Sequence, residues 1–146
     1  MKKKKVGLYR NDGLALIKLN RGSRETEKEI KPRLNPVFNN QGLEITIEPA
    51  SQVTDYLDVK FNLDKHTHQP YRKPNDNPSY LNVQSNHPRH IIKHIPEMIQ
   101  QRLSTLSSTE EIFESSKTIY EKALRDSGYK CDLKYQKPSK EKKKDT

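Results

Sequence analysis

Residues 6–16 read Val6-Gly7-Leu8-Tyr9-Arg10-Asn11-Asp12-Gly13-Leu14-Ala15-Leu16. Val6 and Leu8 alternate with smaller or polar positions, and Leu14, Leu16 and Leu19 continue an apolar face. Asn11-Asp12-Gly13 is a strong turn signal, because Asn and Gly tolerate positive φ. Residues 6–19 are therefore expected to form a β-hairpin with Tyr9-Arg10-Asn11-Asp12 at its tip. A tight turn between strands holds adjacent side chains rigidly, and this one carries a single carboxylate, Asp12, beside an amide, Asn11.

Downstream, Ser23 is a candidate helix N-cap, followed by Glu25, Glu27 and Glu29 where a helix dipole favours acid. Ile30, Leu34, Val37 and Phe38 fall at helical spacing, and Gly42 stands where a C-cap belongs. Pro32 and Pro36 interrupt this pattern, and an interior proline costs about 3 kcal/mol, so a kinked or broken helix is expected. Leu43 to Glu48 and Tyr56 to Leu63 alternate apolar and polar residues as half-buried strands do. In the second run Leu57, Val59, Phe61 and Leu63 share one face. Asp64 to Gln69 reads as a polar turn, and Asn75-Asp76-Asn77-Pro78 breaks regular structure.

The remainder is helical in pattern. Pro88 can open a short helix carrying Ile91, Ile92 and Ile95. Pro96 separates it from a second, with Ile99 and Leu103. A third begins at Ser108, which forms a capping box with Glu111. Its apolar stripe is Ile112, Phe113, Ile119, Tyr120, Ala123 and Leu124, and Gly128 closes it. After Tyr135 the chain is lysine-rich and expected to be disordered.

With 146 residues, a formal charge of +9 and only 30% apolar residues, one domain or two small subdomains with a thin core are expected. The single Cys131 permits no internal disulfide and no cysteine-based zinc site. There is no apolar run of membrane-spanning length, and MKKKK is followed by a strand pattern instead of an apolar signal core. An intracellular protein, nuclear or cytoplasmic, is expected. Lys2 to Lys5, and Lys137, Lys140, Lys142, Lys143 and Lys144, are read as solvated charge able to touch phosphates.

An ordered set of motifs resembles the reverse transcriptases of animal Penelope-like retroelements. Gly7 to Ala15 is similar to that family's Gly-Leu-Tyr-Arg-Asp-Asp-Gly-Leu-Ala turn. Gly42 to Glu48 resembles the palm strand that follows it, and Tyr56-Leu57-Asp58-Val59 the family's Phe-Leu-Asp-Val strand. Pro70-Tyr71-Arg72-Lys73-Pro74-Asn75-Asp76 resembles its basic turn. Ser85-Asn86-His87-Pro88 and Asp126-Ser127-Gly128-Tyr129 bracket a region similar to its helix-turn-helix segment. The resemblance runs over about residues 6–135.

The resemblance implies an α+β fold. An antiparallel, palm-like part is expected over residues 1–74, a three-helix, thumb-like or helix-turn-helix part over 75–130, and a disordered basic tail over 131–146. It also implies a catalytic turn at Tyr9 and Asp12, with Asp12 a residual metal ligand. Two-metal polymerases need paired carboxylates for Mg²⁺, and Asn11 replaces one of them. The earlier palm strand, which supplies another metal-binding Asp in the family, is expected to be missing. The expectation is thus a truncated, inactive fragment of an RNA-directed DNA polymerase with no cofactor, Mg²⁺ belonging only to an intact parent. RNA or DNA would be a weak, non-specific partner through Arg10, Arg72, Lys73, Arg89, Lys93 and Arg102, with neither membrane nor small-molecule substrate. Two alternatives stay open. One is a helix-turn-helix nucleic-acid module with Gln100, Gln101 and Arg102 facing outward. The other is a polymerase subunit completed by another chain.

Other chemistry is weaker. His66 and His68 lie two apart, and His87, His90 and His94 crowd one short stretch, but zinc needs four well-placed ligands. Surface histidines are the expected reading. Cys131 sits in a polar stretch with no signal of activation.

Overall fold

A computed structural model describes residues 5–16, 27–48 and 52–138. Ser23, Leu19 and the lysines before Lys5 and after Pro138 lie outside the described residues. The architecture is α+β: among the described residues there are a two-stranded sheet, a three-stranded sheet and three helices. The chain divides into two compact units, Met1–Gln52 and Val53–Thr146.

The first unit contains the expected hairpin, β1 (Lys5–Tyr9) and β2 (Asp12–Leu16). Their register pairs Tyr9 with Asp12 and Leu8 with Gly13. The turn residues are therefore Arg10 and Asn11, the centre of the expected Tyr9-Arg10-Asn11-Asp12 tip. Arg10 takes the left-handed conformation (φ 51°). Gly13 serves the strand: a Cβ there would come within 3.2 Å of Leu8 Cδ2.

Helix α1 (Glu27–Asn39) runs unbroken through Pro32 and Pro36, so of the kinked or broken helix expected there, the broken form is not seen. It ends in a Schellman motif, with Gly42 at φ 72°. The Leu43 N–H donates to the Phe38 carbonyl and the Gly42 N–H to the Asn39 carbonyl, which satisfies carbonyls that the helix end leaves open. Leu43 to Glu48 forms no strand with any described residue, contrary to the strand expected there. No described apolar side chain of this unit is buried; Leu8, Val37 and Leu43 are all more than half exposed.

The second unit begins with an antiparallel meander, β3 (Val53–Tyr56), β4 (Val59–Asn62) and β5 (Thr67–Pro70). The run from Tyr56 to Leu63 is thus not one strand. Leu57 and Asp58 form a two-residue turn, with Leu57 at φ 54°. β5 covers much of the expected polar turn, leaving Leu63 to His66 as the actual connection.

Two helices follow where three were expected: α2 (Arg89–Leu106) and α3 (Glu110–Asp126). Pro96 lies inside α2 and does not end it. The reason is burial. Ile92, Ile95, Ile99 and Leu103 stay in helical phase across Pro96 and all join the core. Ile92 and Leu103 are buried and Ile95 and Ile99 partly so; a fully buried side chain of this kind gains about 1.5–3 kcal/mol, so the four together outweigh the proline's cost of about 3 kcal/mol. Pro88 is the N-cap of α2 and makes no side-chain cap. The cap of α3 is Thr109, whose Oγ1 accepts from the Ile112 N–H at 3.3 Å. Ser108, the expected cap, instead accepts from the His68 N–H.

The core gathers Ile92, Leu103, Phe113, Leu124, Tyr129 and Leu133. Its last members correct the expected tail. Residues 131–138 pack on the helices: Leu133 is 1% exposed and the Tyr135 ring meets Phe113 edge-on at 5.6 Å. Side chains of both helices hold this segment's backbone. Gln100 Oε1 accepts from the Lys134 N–H, Ser104 Oγ from Gln136 and Glu121 Oε1 from Leu133. The compact unit accordingly starts at Val53, not at residue 75, because the meander and the carboxyl-terminal segment share one body with the helices.

Gly128 ends α3 in a second Schellman motif, with Tyr129 N–H donating to Leu124 and Gly128 N–H to Arg125. It needs φ 91°, and a Cβ there would lie 2.6 Å from Val83 Cγ2. Gly128→Ala should therefore lower the unfolding free energy by about 2 kcal/mol, read from the midpoint of urea denaturation. An unchanged midpoint would contradict this account of the helix end.

Candidate nucleic-acid interface

At the hairpin tip, Tyr9, Arg10, Asn11 and Asp12 are all exposed. The Arg10 guanidinium lies over the Tyr9 ring, 5.6 Å from its centre. Asp12 opens β2 with Asn11 beside it, so the turn offers a single charged oxygen pair. Among the described residues no group of three or more His, Cys, Asp or Glu could hold a metal ion. Paired divalent ions need several hard oxygen ligands. The donor set here does not fit them, and no metal-dependent step is derived from it.

The basic residues divide into two sets. Arg72, Lys73 and Arg102 line one groove of the second unit, of about 510 Å³. Arg89 and Lys93 sit on the first turns of α2. At about 100° per residue they lie on a different face of that helix from Arg102. Both are exposed and, like Lys73, make no ion pair with a described residue.

The groove is built by turns. Tyr71 to Asp76 leaves β5 and folds back in a type II geometry. The Asp76 N–H donates to the Lys73 carbonyl at 3.0 Å. Pro74 supplies the fixed φ of the first corner and Asn75 the positive φ, 67°, of the second. That turn lets the Arg72 Nε donate to the Asp76 carbonyl at 2.9 Å while its Nη2 meets the Asp76 carboxylate at 3.2 Å. The same guanidinium lies 5.8 Å from the centre of the Tyr120 ring. Opposite, the Leu57-Asp58 turn points its carboxylate at Arg102, and the two form a hydrogen-bonded ion pair. The Tyr71 N–H anchors this turn by donating to the Asp58 carbonyl at 2.7 Å.

Arg72 and Arg102 are therefore already neutralised. Exposed pairs of this kind contribute about 0–1 kcal/mol, so an incoming anion can exchange with the aspartates at small cost. Sequence reasoning found the three cations but missed Asp58, Asp76, Tyr71, Tyr80 and Tyr120. Asp76 is four residues from Arg72, a spacing that could have been read; the pairing of Asp58 with Arg102 spans 44 residues and carries no local signal.

The helix-turn-helix expectation is altered in two places. Gln100 does not face outward; it is half-buried and bonded to the Lys134 N–H. The second helix, α3, carries Glu110, Glu111, Glu114, Glu121 and Asp126 against Lys117, Lys122 and Arg125, an excess of negative charge unsuited to a DNA groove. Four of the five histidines have structural roles. His68 Nδ1 donates to the Leu106 carbonyl at 2.9 Å, which can only accept. His87 and His94 bond Ser85 and Glu97 locally, and His66 occupies a turn at φ 51°.

An 83-residue stretch of the chain, 57% of its length, is 30% identical to part of the U5 small nuclear ribonucleoprotein 200 kDa helicase of Drosophila melanogaster. The chain spans 4% of that protein's length. No family model and no solved structure matches the chain. Among the described residues, no helix is long and apolar enough to cross a membrane.

Four groups set an alkaline limit on the second unit. Burial pushes the Tyr80 phenol up, and Tyr120 adds to it against the pull of Arg72 and Arg102. Burial alone raises Tyr129, whose hydroxyl donates to the Leu81 carbonyl at 2.8 Å. Burial, then Glu121 and Asp132, raise the Cys131 thiol. Lys117 is raised first by its hydrogen bond to Glu114. In each case the folded chain holds its proton more tightly than the unfolded chain. Stability is then full below the ordinary values, 9.0 for the thiol and 10.0 for the phenols, and falls as pH rises past them. Urea midpoints should stay level up to about pH 9 and fall beyond it, with Cys131→Ala delaying the onset. A midpoint that rises over that range would contradict the assignment.

Proposed function

We propose that this chain is a non-catalytic segment derived from the reverse transcriptase of a Penelope-like retroelement, retaining weak, sequence-independent binding of RNA or DNA. The observation that carries this reading is the hairpin tip. Its register makes Arg10 and Asn11 the turn residues and sets Asp12 against Tyr9, so the tetrad that resembles the family's catalytic turn lies at an exposed strand-to-strand corner. Asn11 takes the place of a carboxylate in that turn. An amide is neutral and binds Mg²⁺ far more weakly than a carboxylate, so the turn on which the proposed ancestry rests also lacks the paired carboxylates.

Charge supports the nucleic-acid partner. The chain carries +9, and Arg10, Lys73, Arg89 and Lys93 are exposed. Each cation that meets a phosphate releases a counterion, which gives affinity without sequence information. The similar Drosophila protein is by name a ribonucleoprotein helicase, in keeping with a nucleic-acid partner. The intracellular compartments that hold RNA and DNA, nuclear or cytoplasmic, are the implied location. A helix-turn-helix reader is the weaker reading because α3 is acid-rich, and a polymerase subunit completed by another chain is weakened by Asn11.

Two measurements on the full chain test the proposal together. Primer extension with Mg²⁺ or Mn²⁺ should show no incorporation, and incorporation by the unmodified chain would overturn it. Binding to two duplexes of unrelated sequence should be equal. It should weaken with salt at a log–log slope of at least about −3, if Lys73, Arg89 and Lys93 each displace a counterion. A clear preference for one sequence would favour a true reader instead.

A further inference from the structure

The groove of the second unit combines three aromatic rings with unusually little net charge. Tyr71, Tyr80 and Tyr120 line it together with Arg72, Lys73 and Arg102, while Asp58 and Asp76 stand among them. Three cations face two carboxylates, and both carboxylates are already paired with guanidiniums. A surface built to follow a phosphate backbone would carry unopposed charge along its length. This groove instead gathers rings and cations in face contact, Lys60 Nζ lying 5.3 Å from the centre of the Tyr71 ring. Tyrosine rings and guanidinium planes are the groups on which unpaired bases stack, and Arg72 already lies over Tyr120 as such a plane.

We infer that this groove seats an unpaired base of single-stranded RNA or DNA, with Lys73 taking the adjoining phosphate. The inference rests on the nucleic-acid reading above and specifies where the base, as distinct from the backbone, is recognised. Size agrees: about 510 Å³ falls in the range of small-molecule sites, roughly 300–1,000 Å³. A stacked base pair within a duplex shows its edges and hides its faces, so the rings have nothing to contact there. Rigidity agrees as well. The Tyr71 N–H is tied to Asp58, Arg72 to Asp76 and the Ser127 hydroxyl to the Tyr80 carbonyl at 3.1 Å, which fixes the backbone beneath the rings. Asp58 and Asp76 pair with the two guanidiniums and orient them at the groove.

The test is fluorescence anisotropy of the full chain with four labelled probes of roughly 12 nucleotides: oligo-dT, oligo-U, an abasic strand of the same charge, and a duplex. The unmodified chain should bind the two base-bearing strands about tenfold more tightly than the abasic one. Tyr71→Ala should remove that advantage without changing the salt slope, and Tyr71→Phe should retain it. Lys73→Ala should lower the slope by about one while leaving the base preference. The oligo-dT and oligo-U arms separate DNA from RNA as the better source of the base. Equal binding of abasic and base-bearing strands by the unmodified chain would overturn the inference while leaving charge-driven binding intact. Failure to bind any of the four probes would overturn that broader reading and this one with it.

Discussion

His68 holds the sheet of the second unit to the corner between its two helices. Its N–H donates to Ser108 Oγ at 3.1 Å, its carbonyl accepts from the Ser108 N–H at 3.0 Å, and its ring donates to the Leu106 carbonyl at 2.9 Å. β5 is an edge strand, and edge backbone groups left unpaired invite other strands. The helical corner takes up these groups instead. Docking the sheet this way brings the Leu57-Asp58 turn to Arg102 and the Tyr71–Asp76 turn to Tyr120. The groove is a consequence of that docking, and its chemistry depends on a bond pattern centred on one histidine.

The first unit shows the opposite economy. A two-stranded hairpin is marginal by itself, and this one buries no described apolar side chain. Its Schellman motif at Gly42 is well formed, yet α1 exposes Leu34, Val37 and Phe38. The Tyr9-to-Asp12 turn therefore has no enclosed setting among the described residues. The second unit holds the buried core and the shaped groove.

How much of this could be read from the sequence depends on the range of the interaction. Signals confined to a few residues translated well: the hairpin at 5–16, Gly42 and Gly128 as helix ends, and the apolar stripe of α3. Small errors arose where two neighbouring signals competed. Ser108 outranked Thr109 as a cap, for example, because its tie to His68 lies 40 residues away. Larger errors came from tertiary burial. Pro96 reads as a break, but the isoleucines on either side pack on one core. Residues 131–138 read as a polar tail, but Leu133 and Tyr135 alternate inward against Phe113. Leu57 reads as a buried strand position and is instead a turn residue at positive φ. Of the site, the cations were legible by type; the carboxylates and rings that define the groove were not, because they converge from four separate segments.

Amide shift mapping by nuclear magnetic resonance, with a single-stranded oligonucleotide titrated into the labelled full chain, tests the central claim most directly. The account predicts the largest changes at Tyr71 to Asp76, at Tyr80 and around Arg102 and Tyr120, with smaller changes at Arg89 and Lys93. Changes confined to the terminal lysine runs, with the groove amides unmoved, would contradict it.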